Sequence, residues 1–401
     1  MSTNVSRSDG LSNSDVEIEV QTAPHAPGKI HVLQLTFGMG IGGMERVIMD
    51  LCRSVDPERY RFSICCLSVR GSLADTMESE GVPVHFCRNQ SRLAKLFRGL
   101  ELSRLFPKRD IQVLHTHNLT ALIDGTIGAK LTGVPVLIHT DHSKLYPIPR
   151  RWALLERAAS MTADAVVAVS AQTRDDLIRY HKISEAKLSV IYNGVSVRTT
   201  RTATLRELRD EVGIPEGCKV IGVVARLEDQ KGLDLLLRAA PHVLARRPDA
   251  RFLIVGGGSR EGTLRELAAE LGIVPQVIFT GWRGDAVDLM QMFDCFALTS
   301  VYEGMPISLL EAMSLAKPIV STSVGGVPEF VRQGENGILV SSRDPHEIAD
   351  ALLRVMVDEE GARLGNNGRL LYQTHYTSEA MARSYAALYE KHLTKKGIRT
   401  G

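Results

Sequence analysis

The sequence has no strong charge bias, no long apolar run and no paired cysteines, and each absence removes a class of function. Net charge is +2 over 401 residues, so no global field that would gather nucleic acid is implied. No apolar stretch is long enough to span a bilayer, and the first residues are polar and lack a signal-peptide core. The chain is therefore expected in the cytoplasm. The six cysteines, Cys52, Cys65, Cys66, Cys87, Cys218 and Cys295, form no CxxC pair, and most sit in apolar segments. They are expected as reduced core residues, neither a disulfide framework nor a metal site. Residues 1–27 are rich in Ser, Asn and Asp and read as a disordered leader. No repeat or other low-complexity block stands out.

What is present is an alternation of short apolar runs and amphipathic stretches. Strands are expected at 30–35, 62–68, 113–115, 136–138 and 165–169 in the first half. In the second half they are expected at 220–224, 252–255, 277–280, 295–299, 318–321 and 338–340. Helical patterns separate most of them, which implies parallel sheets covered by helices. The length exceeds one ordinary core. The polar stretch 196–206 is the expected boundary, with domains at 28–196 and from 197 onward. The fold class is therefore α/β, with two Rossmann-like, doubly wound parallel-sheet domains facing across a cleft.

Residues 303–311, EGMPISLLE, are the most informative stretch. Glu303 falls in a turn after a strand and Glu311 about one turn into the next helix. Ligands bind above strand C-termini in such sheets, and a helix start favours anions. Two acids and free amides there suit a polyhydroxylated, phosphorylated ligand. The plainer reading is a solvated Glu and a helix-favouring Glu. Arg226, just past another strand, and Lys231, before the next helix, suit a diphosphate. Otherwise they pair on the surface with Glu228 and Asp229.

In the first domain Gly38-Met39-Gly40-Ile41-Gly42-Gly43 fits G-x-G-x-x-G between a strand and a helix. Three readings stay open: a substrate-facing loop, a structural turn, or a dinucleotide site. The last lacks the ribose-binding acid at the end of the second strand, where Arg70 stands instead and would meet a 2′-phosphate. His115, His117, His139 and His142 end two adjacent strands. Their spacing matches no usual zinc pattern, and a hydrogen bond to a sugar hydroxyl suits neutral imidazole better. His142 is the strongest candidate. The stretch 91–109 alternates apolar and basic residues, including Arg92, Lys95 and Arg98. It reads as an anionic membrane surface contact or as an ordinary amphipathic helix. Arg150, Arg151 and Trp152 form a second basic spot.

Taken together, these residues resemble the retaining glycosyltransferases of family 4, with the GT-B fold. The resemblance spans about 29–389. EGMPISLLE resembles the family's E-x7-E motif. Ile191-Tyr192-Asn193-Gly194-Val195, Val224-Ala225-Arg226 with Lys231-Gly232, Gly325-Gly326-Val327-Pro328-Glu329 and Gly42-Gly43-Met44-Glu45 also resemble family pieces. The first-domain wording is similar to sugar transferases of exopolysaccharide clusters.

The resemblance implies that Arg226 and Lys231 bind the donor diphosphate, Glu311 the ribose hydroxyls and Glu303 the donor sugar. Gly304, Met305, Pro306, Ile307, Ser308 and Leu309 would line sugar and phosphate. Gly42 and Gly43 would approach the diphosphate, with Asn193 also on the donor side. Trp282 and Arg283 would flank the base. His142 would sit near the reacting carbon, with His139 as rival. Pro306 departs from the Gly of many members and lacks an N–H. The helical stretch 378–392 resembles the closing helix that returns to the first domain, giving domains at 197–378 and 379–401.

The implied reaction is retaining transfer of a sugar from a UDP- or GDP-sugar to a saccharide or lipid-linked saccharide hydroxyl. No metal or other cofactor is expected, and Asp175 and Asp176 are expected as surface acids. Peripheral contact with an anionic membrane is the expected further partner. The competing classes are an NADP-dependent oxidoreductase using residues 38–43, and a sugar-nucleotide epimerase or phosphorylase on the same fold.

Overall fold

In the computed structural model the described residues are 16–19, 28–89, 92–106, 110–142, 148–197, 201–341 and 343–398. The first sheet holds β1 (Val16–Glu19), β2 (Ile30–Gly38), β3 (Tyr60–Val69), β4 (Val84–Asn89), β5 (Val113–His117), β6 (Val136–Asp141), β7 (Ala165–Ala168) and β8 (Leu188–Val190). Their order is β1-β4-β3-β2-β5-β6-β7-β8. All neighbours are parallel except β1, which pairs antiparallel with β4. Residues Val16–Glu19, expected inside a disordered leader, thus form an edge strand. The rest of that leader lies outside the described residues.

The second sheet is wholly parallel, in the order β11-β10-β9-β12-β13-β14. Its strands are β9 (Lys219–Val224), β10 (Ala250–Val255), β11 (Val277–Phe279), β12 (Cys295–Leu298), β13 (Ile319–Thr322) and β14 (Ile338–Val340). Central strands are apolar on both faces because helices cover both. In the first sheet Val32 and Val113 are buried in one cluster and Leu33, Leu35 and Leu114 in another, and in the second Ile221 and Phe252 are buried in one and Val220 and Phe296 in another. All six cysteines are free and only Cys52 keeps some exposure, as their apolar settings lead one to expect.

Each sheet reverses its winding once, between β2 and β5 in the first and between β9 and β12 in the second. A doubly wound sheet opens a crevice at that point, above the strand C-termini. The chain passes between domains twice, and the two passages hold each other. Val195 donates its N–H to the Tyr376 carbonyl at 3.1 Å, and Ser378 donates to the Val195 carbonyl at 3.2 Å. The final helix, Ser378–Lys395, then packs on the first domain. It buries Tyr385 and Tyr389 in the core built from β2, β5 and β6.

Candidate active site

Residues from the two turns above β9 and β12 meet because those strands are neighbours. After β9 comes Arg226, then a 3-10 turn, Asp229–Lys231. After β12 come Thr299, Ser300 and Glu303, and then the helix Ile307–Ser314. The turns are clasped by backbone: Val301 donates to the Gln230 carbonyl at 2.8 Å, and Gln230 Nε2 to the Tyr302 carbonyl at 3.0 Å. This brings Lys231 Nζ within 2.6 Å of Glu303 Oε1. Ser300 Oγ donates to the same oxygen at 2.6 Å. Both side chains are largely sequestered, 15% and 6% exposed, so the pair offsets a desolvation cost that either charge would bear alone.

The backbone of Glu303 is pinned from the next turn. Gly326 donates to its carbonyl at 3.0 Å. Gly325 holds φ +52°, and a Cβ there would stand 1.8 Å from that carbonyl oxygen, so only glycine fits. Glu228 and Asp229 make their hydrogen bonds and ion pairs elsewhere, although Glu228 still feels the Arg226 charge. Glu228 accepts from Ser259 Oγ at 2.7 Å, and Asp229 pairs with Arg260 at 2.9 Å. Arg226 stays exposed, and its charge reaches Glu45 of the first domain.

The helix Ile307–Ser314 starts at Pro306, which adopts extended backbone and offers no side-chain cap. A helix start leaves its first amides without intrahelical partners. Gly304, Met305, Pro306 and Leu309 are buried, whereas Ile307 and Ser308 are half-buried. Glu311 faces the first domain. Burial pushes its carboxyl up to about 7, the nearby Asp50 adds to the rise, and the Arg46 guanidinium opposes it.

The first domain approaches through the helix Gly43–Ser54. A Cβ on Gly43 would come 3.1 Å from Ile307 Cγ1, so glycine permits near contact between the domains. Glu45 folds its carboxylate back over Gly42. Burial raises its pKa, while a bond from its own backbone N–H and the Arg226 charge act against that rise. Arg46 donates to Asp50 at 3.3 Å and to the Ser196 carbonyl at 2.9 Å, and Ser196 donates back to Asp50 at 3.2 Å. Arg46 and Asp50 were not candidates from sequence. Their only signal is an Arg and an Asp four apart behind a Gly-Gly turn. Asn193 holds the turn that precedes the helix Ile307–Ser314: its N–H meets Met305 Sδ at 3.0 Å and its Nδ2 the Met305 carbonyl at 3.4 Å.

Strand alternation puts His115 and His117 on one face, their rings 4.1 Å apart, and His139 on the other. His117 Nδ1 lies 3.0 Å from His142 Nε2, and His117 Nε2 lies 2.6 Å from Gln34 Oε1. His142 is thus backed by a fixed chain and keeps partial exposure. Desolvation lowers its pKa to about 4, so the ring is neutral near pH 7. His115 turns to Tyr389 and Thr140, both at 2.7 Å. His139, the rival, is buried against Thr116 at 2.9 Å. Its ligating atom lies with those of Asp141 and Glu156 within 4.8 Å of one another, all buried. That group has a donor set able to hold a cation, set apart from the acids and bases of the cleft.

Several expectations need correction. Arg283 is engaged by Asp285 and Glu211, each at 2.7 Å, while Trp282 beside it is exposed. Arg70 is held by Asp75 at 3.0 Å and by Glu78, which occupies the group a 2′-phosphate would need. Arg98 is buried in an ion pair with Asp124 and presents no charge outward. The side chains of Arg92 and Lys95 lie outside the described residues. Asp175 is exposed, but Asp176 is buried.

Two facing Rossmann-like domains, with an acid–base cluster at one switch point and a glycine turn opposite, make up the GT-B arrangement. A model of glycosyl transferases group 1 matches residues 205–371, and one of glycosyltransferase family 4 matches residues 41–199. The two together account for most of both domains, and the chain belongs to that glycosyltransferase family. It is similar to the Escherichia coli UDP-Gal:alpha-D-GlcNAc-diphosphoundecaprenol alpha-1,3-galactosyltransferase, 26% identical over 82% of this chain and 89% of that one. It is also similar to the Bacillus anthracis N-acetyl-alpha-D-glucosaminyl L-malate synthase, 26% identical over 72% of this chain and 77% of that one. Anabaena Alr3699/HepE, solved with UDP, shares the fold: TM-score 0.79, 23% identity, 90% of this chain and all of that one.

Proposed function

We propose that this glycosyltransferase moves a sugar, with retention, from a UDP- or GDP-sugar to a hydroxyl of a saccharide or lipid-linked saccharide. The observation that carries the reading is the Lys231–Glu303 pair at 2.6 Å, flanked by Arg226 and by Glu311 and faced by Gly42 and Gly43. In the loaded site Arg226 and Lys231 offset the charge that grows on the departing diphosphate. Glu303 spends Oε1 on Lys231 and Ser300, which leaves Oε2 for a donor-sugar hydroxyl. Glu311 accepts from the ribose. His142, neutral and backed by His117, donates to the sugar near the reacting carbon. No carboxylate stands as a covalent nucleophile in this scheme. The acceptor oxygen attacks on the face the diphosphate leaves, and its proton passes to that diphosphate. The Lys–Arg pair fills the charge-offsetting role, so the proposal assigns no metal to the reaction.

A lipid-linked acceptor is favoured by Phe37, Ile41 and Val69, large apolar side chains left exposed around the C-terminal edge of β2 and β3. The E. coli relative's diphosphoundecaprenol acceptor supports the same class, and with it a role in exopolysaccharide assembly. Free cysteines and a nucleotide-sugar donor favour a cytoplasmic site of action. No helix among the described residues is long and apolar enough to cross a membrane, so membrane contact would be peripheral.

A thermal-shift screen against UDP, GDP, ADP, their sugars and NADPH, with and without EDTA, tests the donor assignment, because a ligand of the native state raises the melting temperature. A shift with one nucleoside diphosphate, unchanged by EDTA, is expected. A shift with NADPH alone would move the function to residues 38–43. Proton NMR of the first product then reads the anomeric configuration, and inversion would overturn the mechanism.

A further inference from the structure

The helix Arg150–Thr162 is inside out. A helix on a sheet ordinarily turns its apolar stripe inward and its polar residues to water. Here Glu156, Ala159 and Ser160 are the buried residues, and Glu156 joins His139 and Asp141 beneath the helix. The outward side carries Leu154, 64% exposed, and Met161, 65% exposed, together with Trp152 and Leu155. Nothing within the described chain covers them. Arg150, Arg151 and Arg157 stand among them, all exposed, and none has an acidic partner among the described residues. Arg151 lies over the Trp152 ring at 5.7 Å.

We infer that this helix is the face by which the protein docks on an anionic lipid surface. Charge and apolarity together select the occupant. Arginines interleaved with Trp and Leu match a layer that is anionic at the headgroups and apolar just below. Trp suits that boundary because its ring is apolar and its N–H polar. A second copy of the chain fits less well, since a two-fold contact would set the same three arginines against their own counterparts. The position is also apt. The helix starts eight residues after His142, in the same domain. A lipid-linked acceptor would thus meet the site without leaving the bilayer. That use rests on the function proposed above, whereas the docking itself does not.

Flotation of the full chain with vesicles tests the inference. Phosphatidylcholine vesicles are compared with phosphatidylcholine–phosphatidylglycerol vesicles, at low and high salt. Binding is expected only with phosphatidylglycerol, and it should weaken with salt. Replacing Arg150 and Arg151 by Gln should lower partitioning about thirtyfold, at about 1 kcal/mol for each basic residue. Leu154→Ser with Met161→Ser should lower it at least tenfold, and these exposed positions leave folding intact. Nucleoside diphosphate shifts should be unchanged in both variants, which separates a failure of docking from a failure of the donor site. No binding of the wild type to anionic vesicles overturns the inference. So does equal binding by the variants. So does a Leu154→Ser/Met161→Ser variant that turns a dimer into a monomer in sedimentation velocity while vesicle binding stays unchanged.

Discussion

At the scale of single residues the site is a balance of buried charges. Lys231 and Glu303 are each other's counter-ion, so removing one strands the other. Lys231→Ala is expected to cost about 3 kcal/mol of stability, the range for an uncompensated buried charge, and to lower transfer roughly a hundredfold or more. Lys231→Met with Glu303→Gln should recover much of the stability and none of the activity. Urea unfolding and initial rates on the two variants separate the roles. A double variant with restored activity would show that the pair only holds the turn. Glu311 carries the opposite signature. Its folded pKa of about 7 exceeds the ordinary 4.5, so the native state holds the extra proton between those values. Ionisation therefore destabilises the fold as pH rises through that window, and the penalty is complete above about 7. Glu311→Gln should thus raise stability at pH 8 by roughly 2–3 kcal/mol and have no such effect at pH 4. The same variant should bind nucleotide more weakly at pH 8, since an amide is a poorer acceptor for two ribose hydroxyls. Melting curves and titrations at the two pH values check both signs.

At the scale of elements, local chemistry decides what a sequence discloses. All six strands of the second sheet were legible because each is a short, nearly pure apolar run. In the first sheet β4 was not, since Val84–Asn89 contains His85 and Arg88, and neither was β8, whose three residues have Ser189 at their centre and so form no apolar run. The acids and bases after β9 and β12 were legible for a similar reason: each lies in one contiguous strand–turn–helix. What joins the domains was not. Gly43 approaches Ile307 across the cleft, and no local pattern announces that pairing. The role of Glu329 is another case. It stood in a recognisable Gly-Gly-Val-Pro-Glu piece, yet its carboxylate crosses to the first domain and caps the helix Ala171–His181. It accepts from Ala171 N at 2.8 Å and Gln172 N at 2.9 Å. Those are amides a helix start leaves unpaired. Glu329→Ala should cost about 1 kcal/mol, as for a lost cap. It should also raise amide exchange at 171–173 more than in β7. Unchanged exchange there would mean that the bond contributes nothing in solution.

At the scale of the whole molecule the proposed donor-binding groups come from one domain and the covering turn from the other, so activity is expected to depend on how closely the domains approach. One gauge of that approach is Gly43 against Ile307, where a single added carbon would stand at 3.1 Å. The contact is with a side chain, not backbone, so it can give slightly. Gly43→Ala should therefore be mild. Gly43→Val adds two further carbons at the start of the helix Gly43–Ser54 and has to hold the domains apart. Each domain core is untouched, so unfolding should change by less than about 1 kcal/mol. Transfer should fall by roughly tenfold or more, because a cleft that cannot close admits water and leaves the acceptor misplaced. Small-angle scattering with nucleoside diphosphate should show the variant failing to contract as the wild type does. Ile307→Ala makes room on the other side of the same contact. If the Gly43→Val defect is steric, the double variant regains both contraction and rate. If the defect persists with Ile307 truncated, the glycine is needed for its own backbone beside the diphosphate and not for domain approach. The two roles then separate by affinity: a closure defect lowers the rate at saturating donor, whereas a lost backbone contact weakens binding of the free nucleoside diphosphate.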